Sequence, residues 1–245
     1  VNKAKIDNDL KKFYGEKPGT EGCFTMLDNA TGEITVYNMA MDTLRVSPAA
    51  TFQIPLSLIA LQTGAITDEN MKLQLDSTAN GNSLNIVEAF KQNSYPFFHK
   101  TANLIGQDSL YAWISRLSYG VNSSKYKMDS VWLNNKLKIS PDEQLGLLKR
   151  LYFDQLPFRK SVQLFVREMM VQEDNSAYKL SYCSGETKDE ENHMLFWTTG
   201  WIEENRHVYF FVNLERSNES PDVKNGKMGV ARKILEHYGF FKGEK

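Results

Sequence analysis

Residues 52–62, Phe-Gln-Ile-Pro-Leu-Ser-Leu-Ile-Ala-Leu-Gln, are apolar on several faces rather than along one stripe. A helix of that kind cannot rest on a surface with one side in water; it has to be enclosed by other elements. Gly64 follows, and glycine is the residue that most readily ends a helix in left-handed backbone. The segment therefore predicts a buried helix, around which the rest of the chain is arranged.

The flanking sequence supplies what could enclose it. Gly22–Asp28 and Glu33–Tyr37 read as two strands around Asn29-Ala30-Thr31-Gly32, a hairpin turn. Near the other end, Leu195–Glu203 and His207–Leu214 are aromatic and β-branched and are separated by Glu204-Asn205-Arg206, a second hairpin. Between the two lie helical stretches. Residues 76–93 are polar and loop-like with a short helix near Ile86–Lys91; Thr101–Ile105 and Ser109–Leu117 are helical with a break at Gly106. Ser140-Pro141-Asp142-Glu143 places an N-cap, a first-turn proline and a capping-box acid before Leu145–Phe153. Leu156–Met170 gives one more helix, and Lys227–His237 another, capped by Gly239. Strands at both ends with helices between bring the termini into one lobe. The expected fold is α/β: an antiparallel sheet flanked by helices, from about 1–55 and 170–245, plus a helical lobe from about 56–169, in one unit spanning 1–245.

Composition removes several classes of function. With 41% apolar and 24% charged residues the chain is that of a soluble globular protein, and its formal net charge of −1 provides no field for nucleic acid. Apolar runs such as Leu56–Leu61 and Val208–Val212 are too short to span a bilayer, and no signal peptide opens the sequence. The four histidines are scattered without ligand spacing, so neither a metal nor another cofactor is expected. The two cysteines, Cys23 and Cys183, are too few for a disulfide scaffold and could be paired or free.

The stretch from Ser47 to Ile66 resembles the nucleophile segment of the class D β-lactamases, usually Pro-Ala-Ser-Thr-Phe-Lys-Ile-Pro. Pro48, Ala49, Thr51, Phe52, Ile54 and Pro55 keep that frame. The resemblance runs along nearly the whole chain. Val36-Tyr37-Asn38 precedes the segment as in the family. Ser118-Tyr119-Gly120 is similar to the Tyr-Gly-Asn box, and Val131-Trp132-Leu133 with Leu137-Lys138-Ile139-Ser140 to the Phe-Trp-Leu region. Trp201-Ile202-Glu203 and Val208-Tyr209-Phe210-Phe211 match the closing hairpin.

In that family a serine attacks the lactam carbonyl and a lysine, carboxylated on its amine, is the general base; the chemistry needs both within hydrogen-bond reach. Here the serine position holds Ala50 and the lysine position Gln53. A methyl group is no nucleophile, and a carboxamide neither titrates nor accepts carboxylation. The second motif, Ser-x-Val, reads Asn93-Ser94-Tyr95, with Asn93 at the serine and Tyr95 at the valine. The Tyr-Gly-Asn box ends in Val121. The Lys-Thr-Gly strand reads Cys183-Ser184-Gly185, which keeps a hydroxyl and loses the lysine charge. Packing residues match the family while its polar site residues depart from it, the pattern of a pseudoenzyme.

Part of the cleft does not depend on those side chains. The family's oxyanion hole uses backbone N–H groups, which fall by position at Ala50 and Glu186. Lys227 falls near the carboxylate-binding arginine of many members, without its bidentate fork. Trp132 reads as a wall of the cleft. The resemblance places Cys23 and Cys183 on different parts of the sheet, which argues against a disulfide, and Cys183 reads as an inert cysteine rather than a nucleophile.

The expectation is a catalytically inactive class D-like protein, exported to the periplasm or otherwise outside the cytoplasm, that holds a small-molecule or peptidoglycan-like ligand in the old cleft. Two other readings stand beside it. One is a β-lactam-acylating enzyme with a displaced nucleophile (Thr51, Ser94, Ser184 or Cys183); the other is an extracytoplasmic sensor or interaction module.

Overall fold

Asn205 and Arg206 both adopt left-handed backbone, with φ of 47° and 68°. That is the conformation a two-residue hairpin turn requires at its central positions. They join β10 (Met194–Glu204) to β11 (His207–Ser217), paired antiparallel from Glu204↔His207 to Met194↔Ser217. The computed structural model describes residues 3–15, 19–75, 82–123, 125, 127–218 and 223–245. Within them this hairpin forms part of a seven-stranded sheet with β1 (Lys3–Ile6), β2 (Glu21–Asp28), β3 (Glu33–Tyr37), β8 (Val171–Asp174) and β9 (Lys179–Lys188). The strand order is β1-β3-β2-β11-β10-β9-β8. Small two-stranded pairs, β4 (Leu73–Gln74) with β5 (Ser83–Leu84) and β6 (Val121–Asn122) with β7 (Leu137–Lys138), lie outside it.

The expected antiparallel sheet is corrected at one edge: β1 runs parallel to β3. The 3-10 helix Asn8–Phe13 reverses the chain between β1 and β2, and β3 is antiparallel to β2, so β1 and β3 point the same way.

Both faces of the sheet are covered. Side chains alternate across a strand, so on β11 Phe210, Val212 and Leu214 join the core under the middle of the chain, while Phe211 joins a second core on the opposite face. The first core surrounds α2 (Gln53–Thr63), whose Ile54, Leu56, Leu58, Ile59 and Ala60 are fully buried. Gly64 ends α2 with φ 78°. The other face is covered by α8 (Ala231–His237), through Ile234 and Leu235, and by Leu10 and Tyr14.

Between β3 and β8 come the one-turn helix α1 (Met39–Asp42), then α2, α3 (Ile86–Gln92), α4 (Tyr95–Ile105), α5 (Gln107–Leu117), α6 (Pro141–Tyr152) and α7 (Lys160–Met169). Gly106, at φ 86° and ψ 147°, separates α4 from α5 as expected. The capping box of Ser140 and Glu143 is present at α6, and an unanticipated one of Asn85 and Glu88 opens α3. Of the polar stretch 76–93, residues 76–81 lie outside those described.

Three helix boundaries are corrected. α4 begins at Tyr95, not Thr101: Ser94 is its N-cap and Pro96 sits in its first turn, where a proline is tolerated. α7 begins at Lys160, not Leu156, because a residue before proline is biased away from helical backbone. The Gln163 carboxamide holds 156–158 as a turn instead, accepting from Leu156 N and donating to the carbonyls of Leu156 and Phe158. α8 begins at Ala231, not Lys227, because Gly226 and Gly229 take φ of 63° and 55° and interrupt the helix. Cys23 on β2 and Cys183 on β9 have β11 and β10 between them; both are free and buried. No helix among the described residues is long and apolar enough to cross a membrane.

Candidate functional site

The start of α2 is fixed before any cleft is formed. Ser47 Oγ donates to Trp132 O at 2.6 Å, Ala49 N donates to the same carbonyl at 3.2 Å, and Trp197 Nε1 donates to Ser47 O at 2.8 Å. Ala49 takes φ 52°, a left-handed value that is uncommon for a residue with a Cβ and costs on the order of 1–3 kcal/mol. The strained residue leads into a 3-10 turn, Ala49–Phe52, continuous with α2. Ala50 therefore sits in a first helical turn, where backbone N–H groups have no intrahelical acceptor.

β9 passes against this turn. A Cβ added to Gly185 would fall 2.5 Å from Ala50 Cβ, so the approach admits only glycine. From α3, Asn93 (left-handed at the helix end, φ 51°) donates through Nδ2 to Ser184 O at 3.0 Å. Ser184 O therefore points away from β10, as does Tyr182 N, which donates to Met170 O. Alternation along an antiparallel strand gives the Glu186 amide the same outward direction.

Between β9, the α2 start and α4 lies a cleft of about 380 Å³. It gathers Ala50, Gln53, Asn93, Tyr95, Ser184, Gly185 and Glu186, together with Trp132 and Lys227. These are the positions expected from the sequence, with one exception. Cys183 does not line the cleft: it is 3% exposed, and its thiol lies 3.5 Å from Ala50 O, beneath the helix start. Burial pushes that thiol up to about 12, so it is protonated near neutral pH. At this position a neutral thiol donates to the Ala50 carbonyl.

Other candidate nucleophiles are also withdrawn. Thr51 is fully buried, donates to Pro48 O and accepts from Gln144 Nε2 at 2.8 Å, away from the cleft. Ser94 is the N-cap of α4 and is not among the cleft residues; Asn93 is. Ser184 does line the cleft, but no base is hydrogen-bonded to its hydroxyl among the described residues. Gln53 is 3% exposed, and its Oε1 has no hydrogen-bond partner among the described residues.

The walls are aromatic. Trp132 is 3% exposed and stacked on Phe52 with ring centroids 5.4 Å apart, and the more exposed Tyr95 ring lies 6.2 Å from it. Phe98, Leu133 and Phe196 complete the lining and were not anticipated. Two of them carried a usable signal: Phe98 is three residues after Tyr95 on one helix face, and Phe196 is the cross-strand partner of Glu186. The arrangement offers hydrogen-bond donors and an apolar wall. Among the described residues it places no nucleophile beside a base.

Residues 22–236 match the penicillin-binding protein transpeptidase domain. The chain is 30% identical to Beta-lactamase OXA-5 of Pseudomonas aeruginosa, over 95% of this chain and 89% of that protein. The chain belongs to the class D β-lactamase family. It is likewise 30% identical to the Probable beta-lactamase YbxI of Bacillus subtilis (strain 168), covering 98% of this chain and 86% of that one. Among solved structures, the class D β-lactamase from Sebaldella termitidis superposes with a TM-score of 0.84 at 27% identity, covering 98% of this chain and 97% of that one. The C-terminal domain of the Bacillus licheniformis BlaR penicillin-receptor shares the fold, with a TM-score of 0.87 at 23% identity and 98% coverage of both chains.

Proposed function

We propose that residues 1–245 form a single class D β-lactamase-like unit, a sheet-containing lobe and a helical lobe, that has lost catalysis and retains a non-covalent binding cleft. The observation that carries this reading is the pairing of Ala50 and Gln53 on one cleft wall, where acyl transfer needs a nucleophile next to a titrating base. Removing either member of such a pair costs on the order of a million-fold in rate in one well-studied hydrolase. The Ala50 and Glu186 amides, the Ser184 hydroxyl and Lys227 are the groups that would hold a small-molecule or peptidoglycan-like ligand, with Trp132 as its wall. An extracytoplasmic location accords with the β-lactamase relatives.

The test is intact-protein mass spectrometry after incubation with a fluorescent penicillin, alongside the double variant Ala50→Ser plus Gln53→Lys. The unaltered chain takes no label and the double variant does. Labelling of the unaltered chain would sink the inactive reading and establish a displaced nucleophile. A second reading, an extracytoplasmic sensor or interaction module, is favoured by the shared fold of the BlaR receptor domain. A membrane-spanning segment encoded upstream of Val1 would favour it over a free-standing protein.

A further inference from the structure

A second cavity, of about 290 Å³, lies between α6, α7 and the β8–β10 edge of the sheet, apart from the cleft residues. That is just below the usual range for ligand pockets, about 300–1,000 Å³, and suits a molecule of few atoms. Its back wall is Trp201 and Ser181, 2% and 1% exposed. The Ser181 hydroxyl is buried and has no partner among the described residues, a state that natural proteins seldom leave without a reason. The mouth is opened by a β-bulge: Val171 pairs with Ser181 while Glu173 pairs with Leu180, leaving Gln172 as the extra residue in edge strand β8. Bulges of this kind recur next to functional sites.

Charges of both signs surround that wall with capacity to spare. Lys179 Nζ is 3.8 Å from Glu168 and 4.0 Å from Asp174, too far for hydrogen bonds. Arg167 uses Nη1 for Leu151 O and Asp154 Oδ1; its other nitrogens have no protein partner among the described residues. Glu203 accepts from Tyr152 OH at 2.7 Å through Oε1, and its second oxygen has no protein partner among the described residues. The apolar part of the lining is Trp201, Leu164 and Val171.

We propose that this cavity is a non-covalent binding site for a free aliphatic α-amino acid. The carboxylate of the ligand meets Lys179, Arg167 and the Ser181 hydroxyl, its ammonium meets Glu203, and its side chain lies on Trp201 and Leu164. Neither half alone fills the site: a monoanion leaves the second Glu203 oxygen without a donor, and a monocation leaves the remaining Arg167 nitrogens without an acceptor, Lys179 having only the distant Glu168 and Asp174 carboxylates. The proposal is independent of what the cleft binds.

The experiment is a titration of the ¹⁵N-labelled chain with L-leucine, L-leucinamide and N-acetyl-L-leucine, followed by NMR. L-leucine is expected to give saturable shifts at the Ser181 amide and the Trp201 indole, with both single-charge analogues weaker by about ten-fold or more. Lys179→Gln should weaken L-leucine and leave L-leucinamide unchanged; Glu203→Gln should weaken L-leucine and leave N-acetyl-L-leucine unchanged. Both replaced side chains are at the cavity mouth, and the spectrum of each free variant reports that the fold is kept. Absence of saturable shifts with L-leucine, or equal affinity for all three compounds, overturns the proposal.

Discussion

Gly185 and Ala50 touch: a Cβ on Gly185 would lie 2.5 Å from Ala50 Cβ and 2.6 Å from Ala50 N. The contact couples β9 to the start of α2, and Cys183 is held beneath it by the same strand. Gly185→Ala is therefore expected to lower stability by about 1–3 kcal/mol, the usual cost of forcing a methyl into a packed site. Gly146→Ala is the internal control. It lies exposed within α6 with open space around its would-be Cβ, and should raise stability by about 0.5–1 kcal/mol. Urea denaturation of the two variants checks both signs.

Gln53 carries the cost of a buried carboxamide oxygen without a partner among the described residues. Replacing it by an apolar side chain of similar length removes that desolvation cost. Gln53→Met should raise stability by about 1–2 kcal/mol. Thermal and denaturant unfolding measure this directly, and an unchanged or lower midpoint contradicts it.

Asp42 is buried, 4% exposed, and its carboxyl is pushed up from 3.8 to about 6, first by desolvation and second by the nearby charge of Asp142. A carboxyl whose folded-state value is raised has its charged form disfavoured in the fold. The penalty is fully present above pH 6 and fades as pH falls from 6 toward 4, where the folded chain takes up a proton that the unfolded chain does not. Each tenfold change in proton affinity between the folded and unfolded chain is worth about 1.4 kcal/mol. Asp42→Asn should therefore add about 2–3 kcal/mol of stability at pH 7.5. The advantage should shrink toward pH 4, as read from unfolding midpoints across that range.

Both thiols are buried, and desolvation raises Cys183 to about 12 and Cys23 above its ordinary value. Alkylation requires the thiolate. Iodoacetamide at pH 8 should leave the native chain unmodified and add two groups after unfolding in guanidinium, as counted by intact mass. Rapid modification of the native chain would return Cys183 to the list of candidate nucleophiles.

Much of this was legible from the residues. The buried helix announced itself by apolar residues around its circumference, and the two hairpins by their turn chemistry at Gly32 and at Asn205-Arg206. The cleft positions followed from a sequence frame that keeps its packing residues, which is why Ala50, Gln53, Asn93 and Ser184 converge although they come from distant segments. Less legible was anything set by side-chain direction. The burial of Cys183 depends on which way one strand position faces, and Phe196 enters the cleft through hairpin register. The late start of α7 depends on Pro157 together with a carboxamide several residues away. The parallel edge of β1 depends on a short 3-10 helix with no pattern of its own.

The sheet order has a consequence for how the protein is made. β2, near the beginning of the chain, pairs with β11, near its end. A ribosome adding about 5–20 residues per second needs roughly 10–40 s to travel from one to the other. Throughout that interval the edge of β2 that pairs with β11 has no partner strand. The central sheet is thus assembled only after synthesis is nearly finished, and until then the nascent chain depends on whatever shields that edge from other chains.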